Sequence, residues 1–182
     1  MTKKTPEETR TRLIQAAIDI IVDKGATFLT LDAVALAAQV SKGGLLHHFP
    51  TKEALLHGLD DHATQVWLKR LQLEYAKETE DKPGRWARSY IHTAFDHSPE
   101  EARVLQALTR VMGMHPALVE RWNAISLDIY EQMMDDGLTE ARILTIQMAC
   151  DGMFLGEVLN FSLVSEAQRA IIRNELLKLT VP

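Results

Sequence analysis

The sequence predicts an all-α fold of about nine helices, and three observations carry that prediction. Apolar residues recur at three- and four-residue spacing along nearly the whole chain. The gaps between these stretches hold helix start and stop signals: Thr or Ser before a periodic run, Pro at a first helical position, Gly after a last one. Strand-period alternation, internal repeats and low-complexity tracts are missing from the pattern.

Leu13, Ala16, Ala17, Ile20 and Ile21 share one face of a first helix, which Gly25 stops. Thr30 caps a short second helix, "LDAVALAAQ". Asp32 stands in its first turn, where the helix dipole favours an anion. Val34, Ala35 and Ala38 give that helix a small-residue face. Ser41 caps a third helix from Lys42 to about His48. Pro50 forbids its continuation, and Thr51 caps a long helix from Lys52 to roughly Lys77. "DKPG", Asp81 to Gly84, breaks the chain before a helix carrying Trp86, Tyr90 and Phe95. In "SPEE", Ser98 is the cap, Pro99 the first helical residue and Glu101 the completion of a capping box. Pro116 opens another helix, ended by "DDG" at Asp135 to Gly137. Thr139 caps a long apolar helix through Phe161. Ser165 and Gln168 form a second capping box, opening a final helix to about Leu179.

The chain has 182 residues, 46% of them hydrophobic, enough for a sizeable core. Cys150 is the only cysteine, which rules out an internal disulfide and a cysteine zinc site and suits a reducing compartment such as the cytoplasm. No apolar run approaches the ~20 residues needed to span a bilayer, and "MTKKTPEETR" has no signal-peptide core. A cytoplasmic protein without membrane association is expected. The net charge is −5, unevenly spread. Residues 1–50 hold six Lys/Arg against five Asp/Glu; residues 51–182 hold fourteen against twenty. A small DNA-reading head on an acidic body has this profile.

Residues 30–49 read as two short helices joined by the tight connection "QVS", the helix-turn-helix arrangement whose second helix enters the DNA major groove. The second helix starts "SKGGLLHH". A glycine inside a helix costs roughly 0.8–1 kcal/mol relative to alanine, so two in succession need an offsetting gain. Bare backbone that lets a phosphate or a base edge come close is such a gain, and both Gly43 and Gly44 are expected to serve it. Lys42 adds charge at the same end, and His47, His48 and Lys52 offer donors where the chain leaves the groove.

"FLTLDAVALAAQVSKGGLLHHFPTKEALL" resembles the DNA-binding segment of the tetracycline-repressor family of bacterial regulators, over roughly Thr9 to Leu59. The resemblance implies a three-helix DNA-binding head, residues 1–50, on a helical ligand-binding and dimerisation body, residues 51–182. It makes Thr30 a phosphate contact. Ser41, Lys42, Gly43 and Gly44 become the leading edge of the recognition helix, His47 and Lys52 backbone contacts, and Phe49 an anchor for the helix end. The DNA-facing set also takes in Leu45, Leu46 and His48. At Leu46 the family usually carries a tyrosine, so a hydroxyl donor is missing here.

In the body, Trp67, Trp86, Tyr90, Met112, Met114, Trp122 and Met133 are candidates for an adaptable apolar ligand pocket. Asp151 and Asn160 are polar exceptions on an apolar helix. Ala149, Gly152 and Gly156 form a small-residue stripe on the helix Thr139 to Phe161, which is apolar nearly all round and so expected to be buried on several sides. With Met153, and with Ile171 of the last helix, the stripe is expected to face a second copy of the chain. A two-fold dimer sets two recognition helices about 34–36 Å apart on duplex DNA.

His57, Asp61 and His62, and again His92, Asp96 and His97, fall on adjacent helical turns without the further ligands of a strong metal motif. Cys150 reads as packing, and no phosphate loop or nucleophile elbow is present. The expectation is a non-enzymatic homodimeric repressor, without metal or cofactor, released from a palindromic double-stranded DNA operator by a small-molecule effector. Two alternatives stay open: a helical metal-dependent enzyme built on His92, Asp96 and His97, or a regulator of this fold controlled by a protein partner.

Overall fold

The computed structural model describes residues 5–79, 82–159 and 164–181. Among these the chain is helical throughout, with no strand. The helices are α1 Pro6–Asp23, α2 Leu31–Ala37, α3 Lys42–His48, α4 Lys52–Lys77, α5 Arg85–Phe95, α6 Pro99–Met112, α7 Pro116–Met134, α8 Glu140–Val158 and α9 Glu166–Leu179, with a 3-10 turn at Ala26–Phe28. No helix of the described residues is long and apolar enough to cross a membrane.

The chain packs as two units that do not divide at residue 50. One comprises the chain up to Val66 together with Pro99–Val119; the other comprises Trp67–Ser98 and the chain from Glu120 onward. Helix α4 therefore contributes its first turns to one unit and its last turns to the other.

In the first unit, Thr5 and Glu8 form a reciprocal capping box that starts α1. Leu13, Ala17, Ile18 and Ile21 line its buried face. The far end of α1 explains why Pro99–Val119 joins this unit. Arg110 of α6 donates to the carbonyls of Val22, at 2.6 Å, and Ile21, at 3.3 Å. Both belong to the last turn of the helix, where carbonyls run short of internal partners, although the Ile21 carbonyl also accepts the Gly25 N–H at 3.1 Å. Arg103 of the same helix reaches Asp19 and Asp23 at 3.0 and 3.1 Å.

Within this unit the packing is close at Gly58 in α4. A Cβ there would stand 2.6 Å from Cε1 of Phe49 and 3.2 Å from Cδ1 of Ile14. The Phe49 ring, 3% exposed, thus lies directly on the backbone of α4, and Arg10 stacks its guanidinium over the other side, 5.4 Å from the ring centroid.

In the second unit, Ala87, Ile91, Met133, Ile143, Ile146 and Cys150 form the centre of an apolar core. Helix α5 begins after Gly84, which offers no side-chain cap; Asp136 from beyond α7 supplies one by accepting the Trp86 N–H at 2.6 Å. Helix α9 opens with the expected capping box between Ser165 and Gln168. Helix α8 differs from expectation in three ways. It ends at Val158 with Leu159 as its cap, and Phe161 lies outside the described residues, as do Asn160 and the Asp81 of the "DKPG" breaker. Thr139 stands at its N-cap but accepts no capping hydrogen bond. It is also buried on one side only: Ile143, Ile146, Cys150 and Val158 face the core, while Leu144, Met148, Leu155 and Leu159 are exposed.

Gly58→Ala should lower stability. Overpacking costs about 1–3 kcal/mol and the better helix propensity of alanine returns at most about 1 kcal/mol, so the melting temperature should fall by several degrees; an unchanged melting curve would show that the Phe49 ring is free to move aside.

Candidate nucleic-acid interface and body site

The α2–α3 pair is built by local chemistry at each end. Thr30 Oγ1 accepts the Ala33 N–H at 3.1 Å and starts α2. At the other end Gln39 takes φ +53°, the left-handed conformation that usually asks for glycine. The Val40 N–H reaches back to the Ala35 carbonyl at 2.9 Å and the Gln39 N–H to Leu36 at 3.1 Å. This is the Schellman arrangement, which closes α2 and turns the chain into α3 within four residues. Arg12 of α1 holds the same corner by donating to the Ala38 carbonyl. Sequence reasoning placed the turn but not its left-handed residue, because glutamine carries no signal for it.

Ser41 Oγ accepts the Gly44 N–H at 3.1 Å and starts α3. From there the residues expected at DNA separate into two groups. Thr30, Ser41, Lys42, Gly43, Leu46 and His47 are exposed, and His48 and Lys52 are half-buried. Leu45 is 0% exposed and Phe49 nearly so. Leu45 therefore belongs to the core behind α3 and does not face DNA, which corrects its place in the expected set; helical periodicity puts it on the same side as Phe49.

The two glycines also separate. A Cβ on Gly43 would meet nothing within 4 Å, so its bare backbone opens outward. A Cβ on Gly44 would stand 3.0 Å from Cγ1 of Val40 and 3.1 Å from the capping oxygen of Ser41. Gly44 thus serves the turn of its own chain, which corrects the expectation that both glycines serve an outside partner; only Gly43 has open space around it. Lys42 pairs with Asp32 at 2.8 Å, with both side chains well exposed. Such a pair is worth little, so the ammonium can exchange it for a phosphate. His47 and His48 stand edge to face at 5.5 Å.

The proposed pocket residues are only partly brought together. Trp67 stands edge to face with both Tyr90, at 5.9 Å, and Trp122, at 6.0 Å. Met133 is in the core of the same unit, and Trp86 packs on it while stacking on Tyr75 at 4.0 Å. Met112 and Met114 fall in the first unit, with Met114 58% exposed. Tyr90 also donates to Asp151 at 2.5 Å. Of the expected dimer residues, Gly152 and Ile171 are exposed, Ala149 and Met153 half-buried and Gly156 buried within the chain. Gly156 is therefore covered within its own chain. The outward stripe of α8 is instead Leu144, Met148, Gly152, Leu155 and Leu159, again at helical spacing.

His92, Asp96 and His97 are engaged with other side chains and the backbone. Arg173 sits 2.9 Å from Nδ1 of His92 and 2.7 Å from Asp96, filling that place with a cation. His97 turns instead to Glu157 and the Ala94 carbonyl.

Residues 13–59 match the family model for bacterial regulatory proteins of the tetR family. Residues 84–181, more than half of the chain, match the model for the tetracyclin repressor-like C-terminal domain. The chain belongs to the tetracycline-repressor family. An HTH-type transcriptional regulator of Pseudomonas putida, SrpR, is 39% identical over 62 residues, which cover 32% of this chain and 29% of that one. The match thus spans under a third of that relative's length. A transcriptional regulator from Rhodococcus sp. Rha1 shares the fold with a TM-score of 0.72 at 21% identity, over 97% of this chain and 96% of its own. The multidrug binding protein EbrR, complexed with imidazole, shares it with a TM-score of 0.61 at 20% identity, over 96% and 92% of the two chains.

Leu46, where the resemblance implied a tyrosine, is an exposed apolar side chain. Gly58 is the residue that sequence reasoning passed over. Its signal was present, since an isolated glycine inside a strong helical pattern points to a close packing contact.

Gly43→Ala separates fold from interface. The added methyl meets open space, so the isolated protein should be unchanged or stabilised by up to about 1 kcal/mol. DNA affinity should fall, because the methyl occupies the approach path. Thermal melting and DNA titration of this one variant read both signs, and unchanged affinity would remove Gly43 from the interface.

Proposed function

We propose that the protein is a DNA-binding transcriptional regulator, a cytoplasmic homodimer that represses from a palindromic operator and leaves it when a small molecule enters the body. The observation that supports this most strongly is the way α3 is held. Leu45 and Phe49 fasten it from behind, while Ser41, Lys42, Gly43, Leu46 and His47 stand outward on one short helix after a tight turn. That is the geometry a recognition helix needs to enter a major groove. Thr30, His48 and Lys52 flank it as phosphate contacts, which set register without reading sequence.

The outward apolar stripe of α8, continued on α9 by Ile171, supports dimerisation. Exposed leucine and methionine at helical spacing on two neighbouring helices is what a single chain shows when a second copy covers it. The aromatic group of Trp67, Tyr90 and Trp122 supports a small-molecule site, and the imidazole in EbrR shows that a protein of this fold accepts one. An effector that favours one arrangement of the dimer by 1–3 kcal/mol changes DNA affinity about 5–150-fold. Control by a protein partner, and metal-dependent catalysis at His92, have no comparable support; Arg173 occupies the place of a metal beside His92.

Titration of duplex DNA at several salt concentrations tests the DNA half of the proposal. Affinity should fall steeply with salt, and Lys52→Ala should weaken binding about equally across sequences while flattening the log–log slope by about one. Sedimentation tests the dimer half. Gly152→Leu meets open space within one chain and should fold normally, yet should sediment as a monomer where the parent is a dimer. Salt-independent binding, or a monomeric parent at micromolar concentration, would contradict the proposal.

A further inference from the structure

Asp151 stands out among the carboxylates of the second unit. Among the described residues, the other wholly or partly buried acidic groups there, and the exposed Asp96, are matched by a cation or by a helix N-terminus. Glu74 meets Arg70 and Lys77, Glu78 meets Arg88, and Asp96 meets Arg173 and His92. Glu157 meets Arg169, and Asp136 caps α5. Asp151 lies on the apolar helix α8 and receives the Tyr90 hydroxyl at 2.5 Å. Burial pushes its carboxyl up, the Tyr90 hydroxyl opposes that, and no cationic side chain contributes. Burial, followed by the neighbouring Asp151 charge, pushes the Tyr90 phenol well above its usual range, so Tyr90 is a neutral donor.

A structural clip between α5 and α8 would not need this charge. Asparagine at 151 would accept the same hydroxyl without desolvating an anion, which is costly when no counter-ion is present. The carboxylate also keeps acceptor capacity that one hydroxyl does not fill. Its hydroxyl partner Tyr90 belongs to an aromatic group. Tyr90 meets Trp67 edge to face, and Trp67 meets Trp122 the same way, with both interplanar angles 74°. In an edge-to-face pair one ring face receives the neighbour's edge and the others stay open, and an open, negative ring face attracts an organic cation. Trp67 and Trp122 are only partly buried, so these walls are at the edge of the core and not sealed inside it.

We propose that Asp151, with the rings of Trp67, Tyr90 and Trp122, forms a site for a nitrogen-centred organic cation, and that the effector of this regulator belongs to that class. The carboxylate supplies the counter-charge, Tyr90 holds it in place, and the indoles contact the apolar part of the ligand. This rests on the proposal that the body takes a small-molecule effector.

Three probes of similar size test it by calorimetry and tryptophan fluorescence on the full-length chain without DNA: benzyltrimethylammonium, benzyl alcohol and benzoate. The cation should bind about tenfold or more tighter than the alcohol, the equivalent of one cation–π contact with its counter-charge, and benzoate should bind weakest. Asp151→Asn should bring cation and alcohol to within about twofold without lowering the melting temperature. Tyr90→Phe, which leaves the carboxylate, should keep the preference. Equal binding of cation and alcohol, no cation binding at millimolar concentration, or a preference that survives Asp151→Asn would overturn the site. DNA binding by the same preparations separates the two proposals. Specific DNA binding without a cation preference overturns this site and leaves the regulator standing. A preference that depends on Asp151 supports the site even where specific DNA binding is missing.

Discussion

The interface depends on the contact between the Phe49 ring and the bare backbone of Gly58. Helix α3 is seven residues long, too short to be stable by itself, since isolated helices below about 12–15 residues are marginal in water. Its shape is imposed from outside. Leu45 and Phe49 are its buried points, and Phe49 reaches the axis of α4 because residue 58 has no side chain. Arg10 closes the ring from the other side. Everything assigned to the outward face of α3, from Ser41 to His47, inherits its position from that contact.

A second constraint sets where α3 begins. The left-handed Gln39 and the Schellman bonds around it end α2, and Gly44 leaves room for Val40 and the Ser41 cap. Gln39 and Gly44 are thus unfavourable choices locally that the corner requires: a non-glycine residue with positive φ, and a glycine inside a helix. Local rules that fail at such a place are expected where a turn is under demand. Gly43 is different, since nothing in the chain requires it. A Cβ there would meet only open space, so packing within the chain does not account for its cost.

The elements were legible wherever the controlling interaction is short-range. The caps at Thr30, Ser41 and Ser165 each join residues three apart, and the helices beginning at Lys52 and Pro99 follow from Thr51 and Pro99 alone. What escaped was long-range. Arg103 and Arg110 carry no local signal, yet they bind the end of α1 and join α6 to the first unit. Helix α8 is apolar on two sides, and the sequence does not say that its core supplies one and solvent meets the other. The candidate site shows the same split. Periodicity alone could have separated Leu45 from Leu46, whereas Tyr90 and Asp151, 61 residues apart, have no local signal that joins them.

Selection from a random pool of duplex DNA by the purified full-length chain tests most directly whether the α2–α3 pair reads DNA two copies at a time. The expected product is an inverted repeat whose half-sites are centred one helical turn, about 10–10.5 base pairs, or a multiple of it apart. Recovery of no enriched sequence, or of one without two-fold symmetry, would contradict it.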